Sequence, residues 1–295
     1  MVASATMCAI KKCFFVSDLH GKIERYLKLF SEILRDPPAA VFIGGDILPN
    51  VKSLLSVTSL CDDFLMSFFM DHFTRLQRLL KDRYPSVFVI FGNDDARAEE
   101  KCIMEGEKYG LWRYINNRII PFEKFEVYGY CFVPPTPFLL KDWERYDVSG
   151  YVNPGSISPE EGIRTLEVDE YEARYANIKD DLDILIGENN LENAVFLFHS
   201  PPHQTNLDRV ATDGRFIDYI PLDTHVGSIA IRQLIEERQP LLTLHGHIHE
   251  SPRLTGYWHD RIGGTVCLSA AHDGPELSLI KFDLDNPGTA VRELL

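Results

Sequence analysis

The sequence predicts an α/β fold built on a largely parallel sheet with helices over both faces. Up to Phe91, short apolar runs and amphipathic segments alternate as β-α-β-α-β. After a long irregular middle, apolar runs return at residues 194–198 and 241–244, with a helical pattern between them. Acidic, amide and imidazole side chains follow these runs within one to a few residues, where open α/β sheets bind ligands.

Cys13-Phe14-Phe15-Val16 reads as the first strand and leads to Asp18. Ile23, Tyr26, Leu27, Phe30, Ile33 and Leu34 recur at three- and four-residue steps, marking a helix that Pro37-Pro38 stops. Val41-Phe42-Ile43 forms a second strand ending at Gly45-Asp46. Phe64, Leu65, Phe68, Phe69, Phe73, Leu76, Leu79 and Leu80 outline a second helix, and residues 87–91 a third strand before Asn93. Residues 127–133 are strand-like, with Gly129 inside. Pro134-Pro135-Thr136-Pro137 opens a stretch of little periodicity to about residue 170, holding Trp143, Arg145, Tyr146 and Tyr151. So long a stretch is functional or disordered, and its aromatics argue against disorder. It is expected to be a loop insertion near the site, walling a substrate pocket where Trp143 or Tyr146 stacks on a ring; such aromatics also form a loop's own small core. Residues 175–185 read as a helix and 194–198 as a strand ending at His199. Ser228 is placed to cap a helix running to Arg238. Residues 241–244 form a strand before the cluster from His245 to His249, and residues 265–269 and 277–282 alternate as late antiparallel strands. No repeat, low-complexity tract or linker divides the chain, so one domain over 1–295 is expected, with 1–11 a loose tail.

The 295 residues suffice for a sizeable core, with 45% hydrophobic and 25% charged. Lys plus Arg number 30 and Asp plus Glu 44, a formal charge of −14 that disfavours nucleic-acid backbones. An anionic substrate is compatible with that charge where bound cations dominate the local field. None of the 6 cysteines (8, 13, 61, 102, 131, 267) forms a C-x-x-C pair; Cys13, Cys131 and Cys267 sit in apolar runs, and a reduced cytoplasmic setting is expected. The first residues are too weakly apolar for a secretory signal, and no run approaches a membrane span.

Five blocks carry the chemistry: Asp18-Leu19-His20, Gly45-Asp46, Gly92-Asn93-Asp94-Asp95, His199 and Gly246-His247-Ile248-His249. Each alone has a bland reading. A strand-end Asp caps a turn, Gly-Asp and Gly-Asn are turn pairs, and a lone histidine is more often a satisfied core residue. Two histidines at i and i+2 face the same way and are more specific. The ordered set, each piece after a strand, is far stronger than any piece. Its oxygen and nitrogen donors suit two divalent ions, Mn, Fe or Zn, better than Ca or Mg, and the absence of thiolates argues against a structural zinc knot.

The set resembles the calcineurin-like metallophosphoesterase superfamily, whose blocks run D-x-H, G-D, G-N-H-[DE], H, G-H-x-H; the likeness spans Asp18 to His249. It implies two mixed β-sheets packed as a sandwich and flanked by helices. It further implies that Asp18, His20 and His249 hold one metal, that Asn93, His199 and His247 hold the other, and that Asp46 bridges both. The expected activity is hydrolysis of a small phosphodiester or phosphomonoester, diester favoured, through a metal-bridging hydroxide. Asp94 stands where many members carry the histidine that protonates the leaving group, a departure that resembles a bacterial and archaeal Gly-Asn-x-Asp branch. The general acid is therefore open among His203, His225 and Asp94. Arg209 and Arg145 are candidates to grip phosphate, and the Ser228 helix start has amides able to hold an anion. Rival readings are a catalytically inactive scaffold on this fold, like the retromer subunit, a phosphoprotein phosphatase, which the Asp94 departure opposes, and a nuclease, which the charge opposes. The expected partner is a small phosphorylated substrate, with no membrane and no nucleic acid.

Overall fold

A computed structural model of the protein describes residues 11–49 and 61–295. Most of the expected tail, and Cys8, lie outside them. In chain order, β1 (Lys12–Val16), α1 (Ile23–Arg35) and β2 (Ala40–Gly44) are followed by a π-type helical segment, Cys61–Met70, that runs into α2 (Asp71–Leu80). Then come β3 (Ser86–Ile90), α3 (Glu100–Lys108), β4 (Arg113–Tyr114), β5 (Arg118–Phe122) and β6 (Phe125–Tyr130). The second half holds α4 (Glu170–Tyr175), α5 (Ile178–Ile186), β7 (Ala194–Phe198), a hairpin of β8 (Phe216–Ile217) and β9 (Ile220–Pro221), α6 (Ile229–Arg238) and β10 (Leu242–His245). It ends with α7 (Ser251–Thr255), β11 (His259–Ile262), β12 (Thr265–Ser269), β13 (Ser278–Asp283) and β14 (Asn286–Leu294).

These strands make two six-stranded mixed sheets, ordered β14-β13-β1-β2-β3-β4 and β11-β12-β10-β7-β6-β5. In the first, β1 to β4 run parallel, and β13 and β14 are added antiparallel. In the second, β12, β10, β7 and β6 are parallel neighbours and the edges β11 and β5 are antiparallel. The first sheet alone matches the β-α-β-α-β pattern; a single sheet covered on both faces is not what forms. The reason is burial: β2 and β7 are buried along their whole length, so each sheet needs apolar cover on both faces. One buried apolar cluster extends through both sheets and their helices. β12 meets the antiparallel expectation against β11 and departs from it by pairing parallel to β10. The helix expected at 175–185 forms as α5 and starts three residues later, after Asn177, whose side chain caps it by accepting from Asp180 N; the short α4 precedes it.

The segment 134–170 is irregular but tightly bound. Trp143 is fully buried against Phe91 and Phe132, and Tyr146 is buried with its hydroxyl donating to Glu160. Neither ring is available to stack on a ligand; they form the segment's own core. A buried Lys141–Glu144 pair (2.5 Å) and Thr136 complete it. Cys13, Cys131 and Cys267 are buried free thiols, whereas Cys102 on α3 is disulfide-bonded, so the cysteines are not all reduced. Among the described residues no helix is long and apolar enough to cross a membrane.

Candidate metal centre

β1, β2 and β3 lie side by side in the first sheet, and β7 and β10 in the second. All five end at one edge of the sandwich, and the loops that follow them carry the seven side chains. The loops are sewn together by main chain: Asp18 N donates to Gly45 O (3.0 Å), His20 N to Asp46 O (2.7 Å) and Gly246 N to His199 O (3.0 Å). His199 Nδ1 bonds Gly44 O at 2.8 Å, tying the end of β7 to the end of β2 across the two sheets. Asp18, His20, Asp46 and His247 all have positive φ (57°, 47°, 51° and 73°). Four non-glycine residues in this sparsely populated region signal strain held by their surroundings, as at functional sites. Glycine is required where these loops meet: a Cβ on Gly92 would collide with Asp46 Oδ1, and one on Gly246 with Ser17 Oγ.

One atom each from Asp18, His20, Asp46 and His249 lies within 4.8 Å of the others, a grouping that could hold a metal ion. His20 Nε2 faces His249 Nε2 at 3.1 Å, and His249 Nε2 is 3.3 Å from Asp18 Oδ1. On the other side, His199 Nε2 is 3.1 Å from Asn93 Oδ1 and 3.3 Å from Asp46 Oδ2, and the rings of His199 and His247 are 5.1 Å apart. Asp46 Oδ2 therefore sits between His20 (3.7 Å) and His199.

These atoms ask for cations. Asp18 Oδ2 is buried with no hydrogen-bond partner. With the His199 Nδ1–H given to Gly44, the neutral ring turns the lone pair of Nε2 on two oxygens that cannot donate; a proton or a cation must stand between them. The titration follows. Burial disfavours charge on His199, yet Asp46 and Asp18 lift it to about 10. Burial and His199 push His247 down to about 3. Burial opposes ionisation of Asp18, but the His249 hydrogen bond and charge hold it at about 2, and the imidazoles overcome burial at Asp46 in the same direction. The donor set thus fits divalent ions.

Asp94 Oδ2 lies 3.6 Å from His20 Nδ1 at the rim, and burial with the Asp46 charge raises it to about 7. Bound cations would lower it again. His203 and His225 are brought together elsewhere, around the fully buried Asp208: His225 Nδ1 bonds it at 2.8 Å and His203 Nδ1 stands 3.7 Å away. The Ser228 helix start does hold an anion, but a built-in one. Asp147 accepts from Ser228 Oγ, Ile229 N and Ala230 N (2.6, 2.6 and 3.2 Å), while Ser228 Oγ caps Ile231 N. The two arginines are also engaged: Arg145 with Asp181 and Glu172 over the face of Phe132, and Arg209 with Asp213 and the carbonyls of Val210 and Thr224.

Three residues that the sequence left without a role support the site. Asp95 accepts from Ile47 N, Leu48 N and Gly92 N (3.1, 2.7 and 2.8 Å), clamping the β2 loop to the β3 loop. Its position directly after Asn93-Asp94 was the available signal. Arg25, buried on α1, donates to Asp18 O (2.6 Å) and Gly274 O (2.5 Å). Arg25 and Asp208 have no motif around them, and only the fold reveals their use.

Comparisons with known proteins bear on the fold and the family. An uncharacterized protein of Methanocaldococcus jannaschii is 35% identical over 82 residues, which is 27% of this chain. That match spans only 32%, about a third, of the relative's length. Among solved structures, TT1561 of Thermus thermophilus superposes with TM-score 0.53 at 15% identity, covering 97% of this chain and 99% of that one. A dimetal phosphatase from Danio rerio gives TM-score 0.50 at 10% identity, covering 92% of each chain. These likenesses show the fold. The model of the calcineurin-like phosphoesterase family matches residues 11–251, from just before β1 to the first residue of α7, and the chain belongs to that family.

Proposed function

We propose that the protein is a metal-dependent phosphoric ester hydrolase that acts on a small phosphodiester, in preference to a monoester. The observation that supports this most is the position of Asp46 Oδ2 between His20 and His199, a carboxylate placed for sharing by two cations. Asp18, His20 and His249 would hold one ion, Asn93, His199 and His247 the other, with Asp46 common to both. When bound, the ions, Mn, Fe or Zn, would supply Lewis acidity and make water nucleophilic near neutral pH. The chain's own residues do the rest. The strained, cross-bonded loops fix the donors before substrate arrives, so little reorganisation is left to the reaction. His203 and His225, both paired with the buried Asp208 carboxylate, are the groups proposed to carry the proton that the departing oxygen needs. With Asp147 on the α6 amides and both arginines in ion pairs, the phosphate charge falls chiefly to the cations.

Metal analysis of purified protein and a hydrolysis panel test the reading. About two transition ions per chain, and turnover of bis-p-nitrophenyl phosphate exceeding that of p-nitrophenyl phosphate, are the expected results. Monoester turnover alone reverses the preference, and a protein that takes up no metal is a scaffold. His203→Ala and His225→Ala should slow esters of poor leaving groups by about 100-fold and activated nitrophenyl esters far less; equal losses exclude the acid role.

A further inference from the structure

A cavity of about 580 Å³ opens beside His203, between the start of the 134–170 segment and the β8–β9 hairpin. Pro134 and Pro135 follow β6 and His203 follows β7; these strands are parallel neighbours, with Tyr130 opposite Phe198. The cavity thus lies just past the ends of β6 and β7, on the chain that continues from His199 to His203. Its walls are mostly apolar, with Pro134, Pro135, Val148, Tyr151, Ile220 and Leu222, beside the polar Ser149, Asn153 and His203. Tyr151 is 67% and Ile220 52% exposed, much apolar surface for a ligand to cover. Ile217 of the hairpin packs on Gly155, where a Cβ would sit 2.7 Å from Ile217 Cδ1.

The charges are as informative as the walls. Among the described residues no lysine or arginine lines the cavity, while Asp147 and Asp223 do. The helix start at Ile229 would attract a phosphate, but Asp147 already occupies its amides. A second phosphate would meet these carboxylates without a lining lysine or arginine to offset them, whereas an uncharged ring would remove apolar surface from water. The volume lies in the range of ordinary small-molecule sites.

We infer that this cavity is the subsite for the organic portion of the ester, and that it selects an uncharged aromatic or apolar group over one bearing further phosphates. The inference rests on the phosphoesterase reading and deepens it. The test is binding by calorimetry to the manganese-loaded full-length protein, using methylphosphonate, phenylphosphonate and 3-phosphonopropionate as probes. Phenylphosphonate should bind about tenfold or more tighter than methylphosphonate, and 3-phosphonopropionate no tighter than methylphosphonate. Tyr151→Ala combined with Ile220→Ala, both at exposed positions, should abolish the phenyl preference and leave methylphosphonate affinity unchanged. Leu222→Arg should reverse the order, favouring 3-phosphonopropionate, a gain that misfolding cannot mimic. Equal affinity for the phenyl and methyl probes, or variants that leave the preference intact, would overturn the subsite while sparing the phosphoesterase reading. Failure of all three probes to bind, with no ester hydrolysed, would remove both.

Discussion

The metal centre and the neighbouring cavity are both built from loops at the ends of strands, yet their linings differ. Around the metals every loop is bonded to another loop: β1 to β2, β2 to β3 through Asp95, β2 to β7 through His199, and β7 to β10. Around the cavity Asp147 is held on the α6 amides, and the walls are mostly apolar and partly exposed. Cation coordination tolerates little displacement, so its donors are mostly buried and over-determined. Recognition of an organic group needs surface more than exact placement, and its walls can be looser.

If that contrast is right, damage should grade from one region to the other. Asp46→Ala removes the shared carboxylate; activity should fall by several kcal/mol of barrier, on the order of 1000-fold, and the metal count should drop by elemental analysis. Retention of both would break the comparison at its strongest point. Asp95→Ala touches no donor atom but leaves three buried N–H groups without acceptors. It should destabilise the fold by about 3 kcal/mol in urea titration and lower metal affinity some 10- to 100-fold.

Acid and base response should separate the regions too. His199 is raised from 6.5 to about 10 in the metal-free fold. Its protonated form therefore contributes stability that is fully present below pH 6.5 and lost as pH rises toward 10. His247, lowered to about 3, acts in the opposite sense: it is neutral in the fold, and its contribution is lost as pH falls below 6.5. Urea midpoints of the metal-free protein should fall between pH 6.5 and 10, and metal should flatten that slope by replacing the proton. A slope untouched by metal would place the titration elsewhere. The smallest effect is expected outside the cradle: Arg209→Ala loses a pair to an exposed Asp213 and should change stability by less than about 1 kcal/mol, with little loss of turnover. A large loss of turnover alone would show that Arg209 leaves Asp213 to meet substrate.

Legibility in the sequence followed burial. β1, β2, β3, β7 and β10 are contiguous apolar runs because both faces of their sheets are covered, and α6 announced itself through Ser228 and its apolar spacing. The edge elements were not legible: β4 has two residues, and β11 and β14 are half-exposed and charged, so neither shows a clean period. Asp147 on the α6 amides was invisible for another reason. It arrives from 81 positions away in sequence, through a segment with no periodicity.

By itself, the chain's order of residues determined which strands form and which side chains stand at their tips, because strand formation and turn chemistry are local and leave periodic marks. The tertiary structure decided what those tips share. It split the strands into two sheets, set Asp46 between two imidazoles, buried Trp143, and placed Asp147 and Asp208 where a sequence reader would leave an anion site and two free histidines. Such pairings depend on distance in space, which separation along the chain does not encode.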